Sequence, residues 1–224
     1  MERIICVGTD LASSRTSISI AKQFDGVFAT AGIHPHDAKD APNDYLIQLK
    51  ELLANEKVVA VGEMGLDYFR NFSPPDLQRA VFQSQLELAR ELEMPVVIHN
   101  RDADGDLLQI MEDMSPSQAV LHCFSSDILI AERALEAGYL LSFTGNVTFG
   151  KNSTEEVLKA TPVDRIMLET DCPFMTPVPH RGKVNEPSNI PYIGKRIAEI
   201  KEMEPMEIAS ITSATAQDFF GLPA

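Results

Sequence analysis

Residues 58–72 read VVAVGEMGLDYFRNF: an apolar run of strand character stops at the carboxylate of Glu63, with Gly62 and Gly65 on either side. A side chain at the end of a buried strand faces whatever lies above the sheet. Three later segments repeat the arrangement with other ligand-type residues: PVVIH ends at His99, AVLHC carries His122, and RIMLETD ends at Asp171. In a parallel α/β barrel the strand ends converge on one face, where enzymes of that architecture keep their chemistry. Four strand ends carrying Glu, His, His and Asp therefore predict a metal site.

Working outward from this stretch, strand-like and helix-like segments alternate along the whole chain. Strands are expected at 3–8, 27–33, 58–63, 95–99, 119–123, 139–143 and 165–170. Between them, Asp10 or Ser13 caps a helix reaching about residue 24, and a second helix covers 43–54. Ser73-Pro74-Pro75-Asp76 reads as a serine cap with proline at the first helical position, opening a helix to about residue 93. Leu77, Ala80, Val81, Leu88 and Leu92 cluster on one face of that helix. Further helices are expected at 103–114, 128–137, 154–160, 190–203 and 205–219. Strand and helix alternation implies right-handed crossovers and a parallel sheet. With no linker and no break in composition, residues 1–224 are expected to form one barrel domain.

Lys and Arg number 19 against 33 Asp and Glu, a net charge of -14. Such a chain repels polyanions at long range and has no broad basic footprint, so contact with nucleic acid has to be local or assisted by metal. The three cysteines, Cys6, Cys123 and Cys172, are odd in number and sit in or beside apolar runs, which suits a reducing compartment and packing rather than disulfides. No signal-peptide pattern and no apolar run of membrane-spanning length is present, and the expectation is a soluble, intracellular protein.

Imidazole mixed with carboxylate suits zinc, manganese or iron and tolerates magnesium with water completing the shell. Singly, each residue has a plainer explanation: a strand-end histidine often bonds a neighbouring loop, and an acid beside glycine is commonly a turn residue. The joint pattern favours metal, because two of the five histidines sit at equivalent places on successive strands. His34 and His36, in a His-Pro-His turn after an earlier strand, either contact a phosphate or product oxygen, support a ligand from outside, or cap a turn. Asp171 is either a ligand or the base that orients and deprotonates a water, with Glu169 in position to support it. Arg70, Arg101, Lys151, Arg181 and Lys183 follow strands and gather cations on one face; Arg101, two residues after His99, is the foremost phosphate contact. Phe69, Phe72, Phe124 and Phe149 lie in the same class of loops, where they either stack bases or close the core.

GIHPHDA, GEMGLDYFRNFSPPDLQRAVFQSQLELA, MPVVIHNRDA, VLHCFSS, FTGNVTF, LETDCPF and NEPSNIPYI together resemble the TatD family of metal-dependent deoxyribonucleases, within the amidohydrolase-like barrels. The likeness covers nearly the whole chain in order. It implies a TIM-type (β/α) barrel, a divalent metal that is usually Mg2+, with Zn2+ or Mn2+ as alternatives, and a cytoplasmic protein. It implies hydrolysis of DNA phosphodiester bonds, as a 3′ to 5′ exonuclease on single strands, with RNA as a further substrate. Glu63, His99 and His122 become metal ligands and Asp171 a ligand or catalytic carboxylate. His34 joins Asp171 as a catalytic candidate, and His36, Arg70, Arg101 and Arg181 are the substrate contacts. The family's first strand, which in many branches carries a His-x-His pair, has no counterpart here. Seven strands of the usual eight are visible, and if Met1 is the true start a gapped barrel prone to oligomerise is the expected consequence. The rival readings are a small-molecule hydrolase on the same barrel and a barrel without turnover.

Overall fold

The sequence carries its own helix-start signals, and the first is realised in full. Asp10 Oδ1 accepts from Ser13 N at 2.6 Å while Ser13 Oγ accepts from Asp10 N at 2.9 Å, a reciprocal cap that opens helix α1 (Leu11–Ala21). The computed structural model describes residues 2–150 and 153–223, so Lys151 lies outside the described residues. Two compact units are present, Met1–Ala119 and Val120–Ala224.

In the first unit, β1 (Ile4–Cys6), β2 (Val27–Ala31), β3 (Val58–Asp67) and β4 (Val96–Arg101) pair in sequence order and in parallel. They alternate with α1, α2 (Tyr45–Leu53), α3 (Pro75–Glu91) and α4 (Asp104–Met114). In the second, β5 (Ala119–Leu121), β6 (Leu140–Phe143) and β7 (Ile166–Leu168) pair likewise, with α5 (Ile128–Glu136), α6 (Ser153–Ala160), α7 (Ile190–Lys201) and α8 (Pro205–Phe220). Neither unit reverses its strand order, as a doubly wound sheet does at its switch point. Seven parallel strands taken in order, with helices between them, are the α/β architecture of TIM-type barrels among the described residues. Each core is apolar: Leu49, Met64, Leu66, Phe82 and Ile98 are fully buried in the first unit, and Leu121, Leu141, Phe143 and Ile166 in the second. Burying each such side chain contributes about 1.5–3 kcal/mol. Of the described helices, none is long and apolar enough to cross a membrane.

Most strands are shorter than the apolar runs that announce them, but β3 is longer. It continues through the glycines to Asp67, pairing Met64 with Ile98, Gly65 with His99, Leu66 with Asn100 and Asp67 with Arg101 after a register shift beyond Val61. The glycines permit this passage instead of ending the strand. Gly62 (φ +146°) and Gly65 (φ +138°) lie so close to β4 that an added Cβ would sit 2.7 Å from Val97 O and 2.0 Å from His99 O. Glu63 therefore stands at an irregularity within β3, and the strand end belongs to Asp67.

Helix α3 also departs from expectation at its start and on its buried face. Its cap is Pro74, with no side-chain bond, because Ser73 is used elsewhere: buried Ser73 Oγ donates to His36 O at 2.7 Å and accepts from Lys39 N at 3.0 Å. Leu77 and Ala80 are exposed, and the buried face is Gln78, Val81, Phe82, Gln85, Leu86, Leu88 and Ala89. The glutamines are there for the backbone. Gln85 Oε1 accepts from Ile33 N at 2.7 Å and its Nε2 donates to Ile33 O at 3.0 Å. Two turns earlier, Gln78 Oε1 accepts from Asp67 N at 2.8 Å and Nε2 donates to Asp67 O at 3.1 Å and Ser73 O at 2.7 Å.

Two stability measurements check this account. Gln85→Leu strands the Ile33 amide and carbonyl in the interior and should lower the unfolding free energy in urea by about 2–6 kcal/mol, at about 1–3 for each unsatisfied group. Asp10→Ala should cost about 1 kcal/mol at pH 7. The Ser13 amide and hydroxyl hold the Asp10 carboxyl below its ordinary value. Because the folded form binds its proton less readily, this contribution is present above about pH 3.9 and fades as pH falls further, so the gap between wild type and variant should close in acid.

Candidate metal centre

The first unit brings five polar side chains together: His34 and His36 from the turn after β2, Glu63 and Asp67 from β3, and His99 from β4. Main-chain bonds from the segment after β1 fix two of them, with Glu63 N donating to Gly8 O at 2.8 Å and His34 N to Thr9 O at 2.7 Å. His99 lies between the carboxylates, Nδ1 2.8 Å from Glu63 Oε1 and Nε2 3.2 Å from Asp67 Oδ2. Placing its proton on Nε2 lets Asp67 orient the ring and leaves the Nδ1 lone pair on the Glu63 side. A carboxylate holding the far nitrogen is the usual support for a metal-binding histidine.

Asp67 is nearly inaccessible, at 1% exposure. Burial alone would raise its carboxyl, but hydrogen bonds from His99, from the Arg70 amide at 2.7 Å and from His36 Nε2 at 2.8 Å outweigh it and hold Asp67 well below the usual carboxylate range. It is an anion that organises its neighbours. His34 is buried, and that burial lowers its imidazole despite the bond to Glu63. Neutral His34 accepts from His36 N at Nδ1, at 3.1 Å, which puts its own proton on Nε2, 3.3 Å from Glu63 Oε1. In that tautomer His34 is a donor.

His34, Glu63 and His99 offer ligand atoms that all lie within 4.8 Å of one another. Two ligands on one ion at about 2.1 Å stand roughly 3–4 Å apart; the 3.3 Å between His34 Nε2 and Glu63 Oε1 falls in that range, and the 2.8 Å between His99 Nδ1 and Glu63 Oε1 lies just below it. Carboxylate oxygens and imidazole nitrogens together are the mixed donors that a divalent cation accepts. The donor set therefore fits a divalent metal, with Glu63 and His99 as its firmest members and His34 joining if its tautomer switches.

In the second unit, His122 Nδ1 lies 3.1 Å from Glu169 Oε2, and Glu169 Oε1 accepts from Cys123 N at 2.6 Å. Glu169 thus supports His122 in the way Asp67 supports His99. Its carboxyl is lowered: burial opposes the anion, and the His122 charge and hydrogen bonds from His122, Cys123 and Ser142 overcome it. Asp171 follows β7 with φ +53°. Arg181 stacks over Phe149 at 4.1 Å, and Arg101 over Phe69 at 4.0 Å. Phe124 is buried and closes the core. Cys172, expected to pack, is exposed, because it sits in the loop beyond β7 and not in the strand; burial pushes the Cys123 thiol up to about 12.

In the sequence Asp67 follows Gly65 and so does not stand out as a strand-end residue. Period two was the available signal, since 63, 65 and 67 share a face once the strand is allowed through the glycines. Gln78 and Gln85 were missed as well, though two glutamines seven apart on the buried side of an amphipathic helix mark backbone that needs partners.

The profile of the family described as TatD related DNase matches residues 1–221. The chain is 45% identical to an uncharacterized metal-dependent hydrolase, YabD, of Bacillus subtilis, over 98% of this chain and 88% of that protein. It is 36% identical to the 3'-5' ssDNA/RNA exonuclease TatD of Citrobacter rodentium, over 98% of this chain and 86% of the relative. The crystal structure of YJJV, a TatD homolog from Escherichia coli K12, superposes with a TM-score of 0.94 at 28% identity, over all of this chain and 88% of that one. On the near-complete profile match, the identities and the shared fold, the chain belongs to the TatD related DNase family of metal-dependent hydrolases.

Proposed function

We propose that this protein hydrolyses phosphodiester bonds in nucleic acid, as a 3′ to 5′ exonuclease on single-stranded DNA and with RNA within reach, using a divalent cation, Mg2+ first. The observation that carries the reading is the His34, Glu63 and His99 cluster, with ligand atoms within 4.8 Å of one another, braced by a buried anion at Asp67. Relatives that share over a third of the sequence are named 3'-5' ssDNA/RNA exonuclease, which supports the substrate class. A bound divalent cation would polarise a phosphoryl oxygen and lower the pKa of a water.

The chain's own residues then divide the work. Glu63 and His99 hold the cation, and Asp67 keeps the His99 ring aimed. His122, with Glu169 behind it, is the imidazole ligand of the second unit, and Asp171 ligates or takes the proton of the attacking water. His34, neutral and with its proton on Nε2, donates to a phosphate oxygen. His36, Arg70, Arg101 and Arg181 contact the substrate. The cation offsets the acidic character of the chain where the phosphate must sit, and a net charge of -14 is then no obstacle.

The assay is release of label from a 3′-labelled single-stranded oligonucleotide. EDTA should abolish release and Mg2+ restore it; Glu63→Ala and His99→Ala should each lose about 100-fold or more, with matching loss of Mn2+ affinity in calorimetry. Cleavage by these variants at the wild-type rate, independent of metal, would overturn the assignment. Asp67→Asn keeps the shape but loses the anion, and should weaken Mn2+ binding by about 10- to 100-fold.

A further inference from the structure

The seven residues between β3 and α3 hold two phenylalanines that the fold leaves outside. Phe69 is 54% exposed and Phe72 55%. Each leaves about half of its apolar surface in water. Tyr68 between them and Asp67 is differently employed: its hydroxyl donates to Asp106 at 2.7 Å and accepts from Arg79 at 3.0 Å, locking it to α3 and α4. The two phenylalanines have no such internal task.

Phe72 touches the polar cluster directly, and Phe69 touches the arginines beside it. The Phe72 ring meets the His36 ring edge-on, centroids 4.8 Å apart, and His36 is bonded to Asp67, which also holds His99. Phe69 lies beneath the Arg101 guanidinium at 4.0 Å, with Arg70 at 5.7 Å, and Arg101 ends β4 two residues beyond His99. The Arg70 amide donates to buried Asp67, tying the loop that carries both rings to the same carboxylate. In a strongly acidic chain, aromatic surface with two guanidinium groups at its side is suited to a ligand that presents flat rings and negative charge together. A nucleic-acid strand does so; an apolar peptide surface would leave the arginines unanswered.

We infer that Phe69 and Phe72 form a stacking platform for unpaired bases of the substrate strand, with Arg101 and Arg70 on the adjoining phosphates. The inference rests on the nuclease reading and deepens it, assigning the preference for single strands to a definite place. Paired bases cannot offer their faces to side chains, so the platform selects single-stranded ends. Phe69 is the sharper probe, because it touches the arginines, whereas Phe72 bears on His36.

The test uses anisotropy of two fluorescein-labelled single-stranded oligonucleotides of equal length in Mg2+, with phosphorothioate terminal linkages to slow turnover. One carries all its bases, and the other is abasic at its two 3′-terminal residues. Wild type should bind the complete strand about ten-fold or more tighter than the abasic one, from stacking worth roughly 1–3 kcal/mol per base. Phe69→Ala should lose much of that preference and Phe69→Ala/Phe72→Ala all of it, the complete strand losing more affinity than the abasic one; Phe69→Trp should retain it. Equal weakening on both strands, or Phe69→Ala binding the complete strand as wild type does, overturns the platform while leaving the nuclease reading intact. Wild type that binds neither strand overturns both.

Discussion

A single buried carboxylate sets the order of the first half of this protein. Asp67 is almost without solvent, and an anion there is tolerable only if donors surround it. Three do: the His36 ring, the His99 ring and the Arg70 amide. Each donor is thereby fixed, one on the turn after β2, one on β4 and one in the loop after β3. The electrostatic demand of one group thus aligns three segments that are distant in sequence, and the orientation of His99 toward Glu63 follows from it. A similar economy recurs in the second unit, where Glu169 holds the His122 ring and the Cys123 amide together.

Much of this was legible in the chain itself. Apolar runs ending in Glu63, His99 and His122 were visible because ligand-type residues interrupt a hydrophobic pattern, and seven strands emerge from alternation alone. Strand limits were less legible, since a pattern shows where burial is wanted and not where hydrogen bonding begins. Gly62 and Gly65 were ambiguous for a physical reason: glycine ends strands and also admits close passage between them, and only the position of the β4 backbone decides which. Ser73 was misjudged on similar grounds. A serine before proline caps a helix unless its hydroxyl is drawn elsewhere, and here the His36 carbonyl draws it. Whether a polar residue faces solvent or serves a buried backbone is settled by tertiary neighbours, which is why Gln78 and Gln85 were passed over.

Charge is distributed with similar locality. The chain is acidic as a whole, yet Arg70 and Arg101 stand beside exposed aromatic rings and next to the strand ends that carry Asp67 and His99. A polyanion approaching such a surface meets general repulsion and local attraction. On the proposed nuclease reading, binding would depend less on long-range steering than on short-range fit.

The glutamine pair on α3 has a mechanical side. Gln85 clasps the backbone next to His34, and Gln78 clasps the backbone of Asp67, so the ends of β2 and β3 hang from one rigid rod at fixed spacing. When that rod drifts or tilts in thermal motion it carries both attachments along. Fluctuations that would spread a set of separately anchored side chains become common-mode displacements here, and the distances inside the cluster are insulated from the breathing of the helix layer around it.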